Sequence, residues 1–125
     1  MDKFTHIKVP ILNNEYFVLV AWGEQKKAIP WLTKTTGWDD ITKKLLSTAR
    51  GHYWESKLWH CLPIIYVNVP IKGMEFQATL AHEAIHAVEC IWKHIGEDSH
   101  YEVYTHSCAA ILRAVNKEID KKKAA

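Results

Sequence analysis

Residues 6–12, His-Ile-Lys-Val-Pro-Ile-Leu, alternate apolar and polar side chains with the period of two that a half-buried strand requires. Pro10 cannot donate to a ladder, which assigns this strand to an edge. Asn13-Asn14-Glu15 reads as a turn, and Tyr16 to Trp22, rich in β-branched and aromatic residues, as the second arm of a hairpin. Gly23 to Lys27 breaks the alternation. From Ile29 to Ala49 the period becomes helical, in two pieces: Pro30 suits a first turn, Gly37 a break, and Asp39 or Asp40 a fresh start before Ile41, Leu45 and Leu46. His52 to His60 reads as a polar and aromatic connection. Cys61 to Val69 is the clearest strand pattern in the chain, and Pro70 and Gly73 separate it from a long helix, Glu75 to Ile95, ended by Gly96. Asp98 or Ser99 can cap a last helix, His100 to Ile119. The pattern predicts an α+β fold: a small antiparallel or mixed sheet of about three strands, helix between the second and third, and two packed helices at the end.

At 125 residues the chain can form one hydrophobic core without disulfides, and no repeat, low-complexity stretch or boundary divides it. A single domain over 1–125 is expected. A net charge of +2 owes part of its excess to the run Lys121-Lys122-Lys123, and no basic stripe is interleaved with aromatics, so a nucleic-acid partner is not expected. No apolar run reaches the length that spans a membrane, and the first residues lack a signal-peptide core. The three cysteines, Cys61, Cys90 and Cys108, form no CxxC pair and suit free thiols in a reducing compartment. A soluble, cytoplasmic protein is the expectation, with its oligomeric state open.

Candidate chemistry is concentrated at His82-Glu83-Ala84-Ile85-His86, an HExxH motif inside the long predicted helix. Side chains four apart stand on one helix face a turn apart, so His82 and His86 can offer imidazole nitrogens to one metal ion. Zinc suits such a site, because it takes neutral imidazole and carboxylate in a tetrahedron with one position open. Glu83, one residue on from His82, is placed as a general base for a water that the ion activates. Glu89 and Trp92 stand where a metzincin requires Gly and His, which excludes that class. The third ligand is then expected from the following helix, where Glu102 offers itself ahead of the small residues Thr105, Ala109 and Ala110. His106, one turn further on, is the alternative ligand. With Glu102 as ligand, His106 becomes a hydrogen-bond donor to an oxyanion.

Leu80-Ala-His-Glu-Ala-Ile-His-Ala87, the pair Ile95-Gly96 and Glu102-Val-Tyr-Thr-His-Ser107 together resemble the small zinc metallopeptidases carried by phages and prophages. The resemblance covers roughly residues 60–113 and rests on HExxH as its one specific element. It implies a minimal zincin-like, gluzincin-like fold and hydrolysis of peptide bonds in a peptide or protein substrate, in the host cytoplasm if the chain is phage-encoded. The competing account is a non-catalytic binding protein stabilised by zinc, which would have no need for a base at Glu83.

Other residues have weaker claims. Glu89, nearly two turns after His82, can orient a ligand imidazole. Tyr101 and Tyr104 rival His106 as oxyanion donors, and His52, Tyr53 and His60 can rim the cleft. Cys90 is a conceivable thiolate ligand, being one turn past His86. The strand Ile64–Val69 is expected to offer a free edge to an extended substrate.

Overall fold

The fold is that of a computed structural model that describes residues 2–59, 61–95 and 101–124, apart from the side chains of Tyr101, Glu102 and Ala124. β1 (Thr5–Ile11) and β2 (Tyr16–Trp22) form the expected hairpin, antiparallel from Thr5↔Trp22 to Ile11↔Tyr16. Its turn holds Leu12, Asn13 and Asn14 at φ of 55°, 55° and 70°. Two of the three are asparagines, whose short polar side chains make the left-handed region accessible.

α1 (Gln25–Thr36) and α2 (Ile41–Leu45) follow β2. α1 starts before the predicted Ile29 and runs through Pro30, which lies in its interior rather than its first turn. Burial of Ala28 and Leu32 holds the segment helical across the proline. Gly37 closes α1 in the left-handed conformation, φ 76°, and its N–H bonds to the Thr33 carbonyl.

The segment predicted as a connection contains a strand, β3 (Gly51–Glu55). Its buried positions are His52 and Trp54, so the alternation is present but carried by residue types that do not read as core. β4 (Pro63–Val67) is buried along its whole length and lies between β2, parallel, and β3, antiparallel. The result is a mixed sheet of four strands, order β1-β2-β4-β3, instead of about three. The expectation of a free edge on Ile64–Val69 is therefore corrected: both sides of β4 are paired, because it is the continuously apolar strand and belongs at the centre. The edge beside the helix belongs to β3.

α3 (Gly73–Ile95) and α4 (Tyr101–Ala124) cover one face of the sheet. Phe76, Leu80, Ala84, Ala87, Val88 and Ile91 of α3 recur at helical spacing and pack on Val18, Val20, Ile65 and Val67. Ile111 and Val115 of α4 complete that core. The two helices run antiparallel: the Tyr104 hydroxyl donates to the Ile85 carbonyl at 3.2 Å, and the side-chain amides of Gln77 and Asn116 exchange hydrogen bonds of 2.7 and 3.0 Å. On the opposite face α1 and α2 pack on Ala21, Ile64 and Tyr66 through Ala28, Leu32, Ile41 and Leu45. Among the described residues no helix is long and apolar enough to cross a membrane.

Candidate metal centre

Two helix turns of α3 and the edge strand beside them build the site. The register of β3 decides which of its groups face outward. Asn68 N–H donates to the Arg50 carbonyl and Ser56 N–H to the Leu62 carbonyl, so the hydrogen-bonded positions of the antiparallel pair are the even ones, 50 to 56. The backbone groups of Gly51, Tyr53 and Glu55 therefore point away from β4, and no described strand pairs with them. The side chains of these odd residues face α3. The edge strand thus runs alongside the motif helix with its hydrogen-bonding groups turned to the groove.

Its three inward positions meet three successive turns of α3. A Cβ on Gly51 would stand 2.6 Å from Thr79 Cγ2, 2.9 Å from Glu83 Cγ and 3.2 Å from Glu83 Oε2, so the strand approaches Glu83 closely only because this residue has no side chain. The Tyr53 ring stacks on His86, centroids 5.9 Å apart at 30°. Burial, together with the neighbouring Cys90 thiol, pushes the phenol pKa up. Arg50 and Glu75 form an exposed ion pair, and with Gly51, Thr79, His82 and Glu83 they line a cavity of about 360 Å³.

His82, Glu83 and His86 come together as the sequence predicts: one ligand atom from each lies within 4.8 Å of the others. Both imidazoles are exposed, whereas Glu83 is only 5 % exposed. The two Nε2 atoms are 3.3 Å apart with the rings near perpendicular, at 78°. That separation tests the fit to zinc. Two nitrogens each about 2.05 Å from one tetrahedral ion stand about 3.35 Å apart, so the histidines are already spaced as a ligand pair. Burial raises the Glu83 pKa, and the adjacent His82 and His86 pull it back down. A carboxylate held this way is a stronger base than an exposed one.

The remaining candidates separate by position. Glu102 is in the first turn of α4, and its side chain, like that of Tyr101, lies outside the described residues. His106 is exposed on α4 and contributes no atom to the His82–Glu83–His86 group. Tyr104 is committed to the Ile85 carbonyl and to Glu89, and burial and that carboxylate push its hydroxyl up to about 12. Glu89 is thereby engaged with α4. His52 faces the other side of the sheet, stacked on Trp54 at 5.4 Å, with burial and Lys44 lowering its pKa. His60 lies outside the described residues.

All three cysteines are free. Burial pushes Cys61 up to about 11 and raises Cys90, so neither is a thiolate at neutral pH. Of the three rim candidates read from the sequence, Tyr53 does meet the motif, whereas sequence patterns alone missed Gly51. A glycine opening a segment rich in aromatic residues was the available signal. Compared with models of protein families, with curated proteins and with solved structures, the chain matches none.

Proposed function

We propose that this protein is a zinc-dependent hydrolase of peptide bonds, with His82 and His86 as metal ligands, Glu102 as the third and Glu83 as general base. The observation that carries the proposal is the pairing of two exposed Nε2 atoms at 3.3 Å with a carboxylate buried beside them against Gly51. A site serving only structure would be closed by four protein ligands, whereas these histidines open to a groove. Bound zinc supplies a lowered pKa for water and polarisation of a carbonyl. Glu83 takes the proton released as water attacks the carbonyl and returns it to the leaving amine. Tyr53 holds the His86 ring in place, and the free backbone groups of Gly51, Tyr53 and Glu55 can align an extended substrate by main-chain hydrogen bonds. The HExxH likeness in the sequence supports this reading alongside the geometry.

The test is Glu83→Gln. Zinc stoichiometry and fold are expected to persist while hydrolysis of a peptide substrate falls about 10²- to 10⁴-fold, the range for loss of a general base. Full activity in the variant would refute the mechanism. Stoichiometric zinc with no hydrolysis by the wild-type protein across a broad peptide library would favour the zinc-stabilised binding protein instead.

A further inference from the structure

The groove continues past the histidines. Beside His86 it widens into a polar cavity of about 450 Å³, flanked by Tyr53, Glu55, Glu89 and Lys93 and ending at His94. His94 also lines a second cavity of about 480 Å³, so the two meet at this residue. The second has a different chemistry. It is lined by Tyr16, Phe17 and Leu19 at the start of β2 and by Trp59 and Leu62 of the segment entering β4. Trp59 is 65 % exposed, whereas tryptophan is on average highly buried, so its ring is open to an occupant of this cavity.

We propose that this second cavity is a specificity subsite for a large aromatic side chain of an extended peptide lying along β3. This rests on the hydrolase reading for the centre of the groove and adds its substrate class. The walls are mostly rings and aliphatic side chains. Lys8 and Glu15 bring both signs to the rim, and the Lys8 ammonium is already placed 3.9 Å over the Phe17 ring, so neither a cation nor an anion finds a dedicated partner. A volume of about 480 Å³ is within the range of ligand sites and much more than a small aliphatic side chain fills.

Distance sets the register. His94 is eight residues past His86, about 12 Å along the helix at 1.5 Å per residue. An extended peptide advances about 3.3 Å per residue, so the occupant belongs to the third or fourth residue from the scissile bond. Successive side chains of an extended peptide point to opposite faces, so the intervening residue leaves no demand on this cavity.

The probes are acetylated, amidated octapeptides of alanine and serine, in which a single phenylalanine is walked along the sequence. Their binding to the full-length, zinc-loaded Glu83→Gln protein is measured by fluorescence polarisation, and cleavage by zinc-loaded wild-type protein is mapped by mass spectrometry. Phenylalanine at one register is expected to tighten binding at least about tenfold over the peptide without it, as burial of one ring implies. Trp59→Ala and Phe17→Ala should each abolish most of that preference. Trp59→Ala should also leave the unfolding midpoint unchanged, because the ring is exposed. Absence of binding, binding without preference for phenylalanine, or a preference intact in both variants would overturn the proposal. A preference lost in the variants, but with no peptide cleaved by the wild type, would keep the subsite and sink the hydrolase reading. Cleavage that ignores phenylalanine would do the reverse.

Discussion

Replacing Gly51 by alanine perturbs Glu83, the proposed base, without changing its chemistry. The backbone at residue 51 is not in the left-handed region, so alanine is conformationally allowed and the effect is steric alone. Ordinary carbon–carbon contact begins near 3.5 Å. The added methyl would stand 2.6 Å from Thr79 Cγ2 and 2.9 Å from Glu83 Cγ, overlaps of about 0.9 and 0.6 Å on that contact distance. Thr79 is β-branched and stiff on a helix, so β3 must move away from α3 or the Glu83 side chain must swing. Overpacking of this kind costs about 1–3 kcal/mol, and a displacement near 1 Å at a reacting group costs about 10²-fold in rate. Urea unfolding, zinc content and peptide hydrolysis should be measured on Gly51→Ala and on Gly51→Ala/Thr79→Ala. The double variant loses the closest contact but keeps the one to Glu83. It should therefore recover much of the stability while the rate stays low, with zinc bound throughout. A Gly51→Ala protein with wild-type stability and rate would refute the account of how β3 positions the base.

Two further outcomes follow from the same geometry. Tyr53→Ala should weaken zinc binding several-fold in a competition titration, because His86 loses the ring that orients it, while Tyr53→Phe should restore most of the affinity; equal affinity in all three proteins would remove Tyr53 from the site. Alkaline stability should fall in a defined window. Tyr66 is pushed up to about 12 by burial and donates to the Gly23 carbonyl at 2.6 Å, and Cys61 is up to about 11. Unfolded, these groups ionise near 10 and 8.5, so their protonated native forms stabilise fully below those values and that contribution is lost as pH rises through 11 to 12. Urea midpoints across this range should drop less steeply in Tyr66→Phe than in wild type; parallel curves would exclude Tyr66 as a source.

The sequence made the hairpin, the helix pair and the HExxH trio legible for one reason: each is local. Alternation over seven residues defines β1 and β2, and a spacing of four on one helix brings His82 to His86. β3 was not legible because its buried side chains are His52 and Trp54 and its inward face begins with a glycine. Missing that strand also misassigned the edge to Ile64–Val69, since strand order is a long-range property that periodicity does not encode. α1 was shortened because Pro30 reads as a helix start, whereas the burial of Ala28 before it and Leu32 after it overrides the local preference.

The parallel pairing of β2 with β4 divides the molecule in kinetic terms. Gly51, Tyr53, His82, Glu83 and His86 all belong to the continuous succession β3-β4-α3, whose neighbours in space are close along the chain. The N-terminal hairpin joins that succession through β2 and β4, between which lie α1, α2 and β3. Closing so long a loop is slow compared with forming either hairpin. The framework of the candidate metal centre can therefore assemble before the hairpin docks, and the docked hairpin then seals the core beneath it. Sub-global opening that releases β1 and β2 is a separate event from disruption of the His82–His86 pair, so the centre and its scaffold need not share one opening energy.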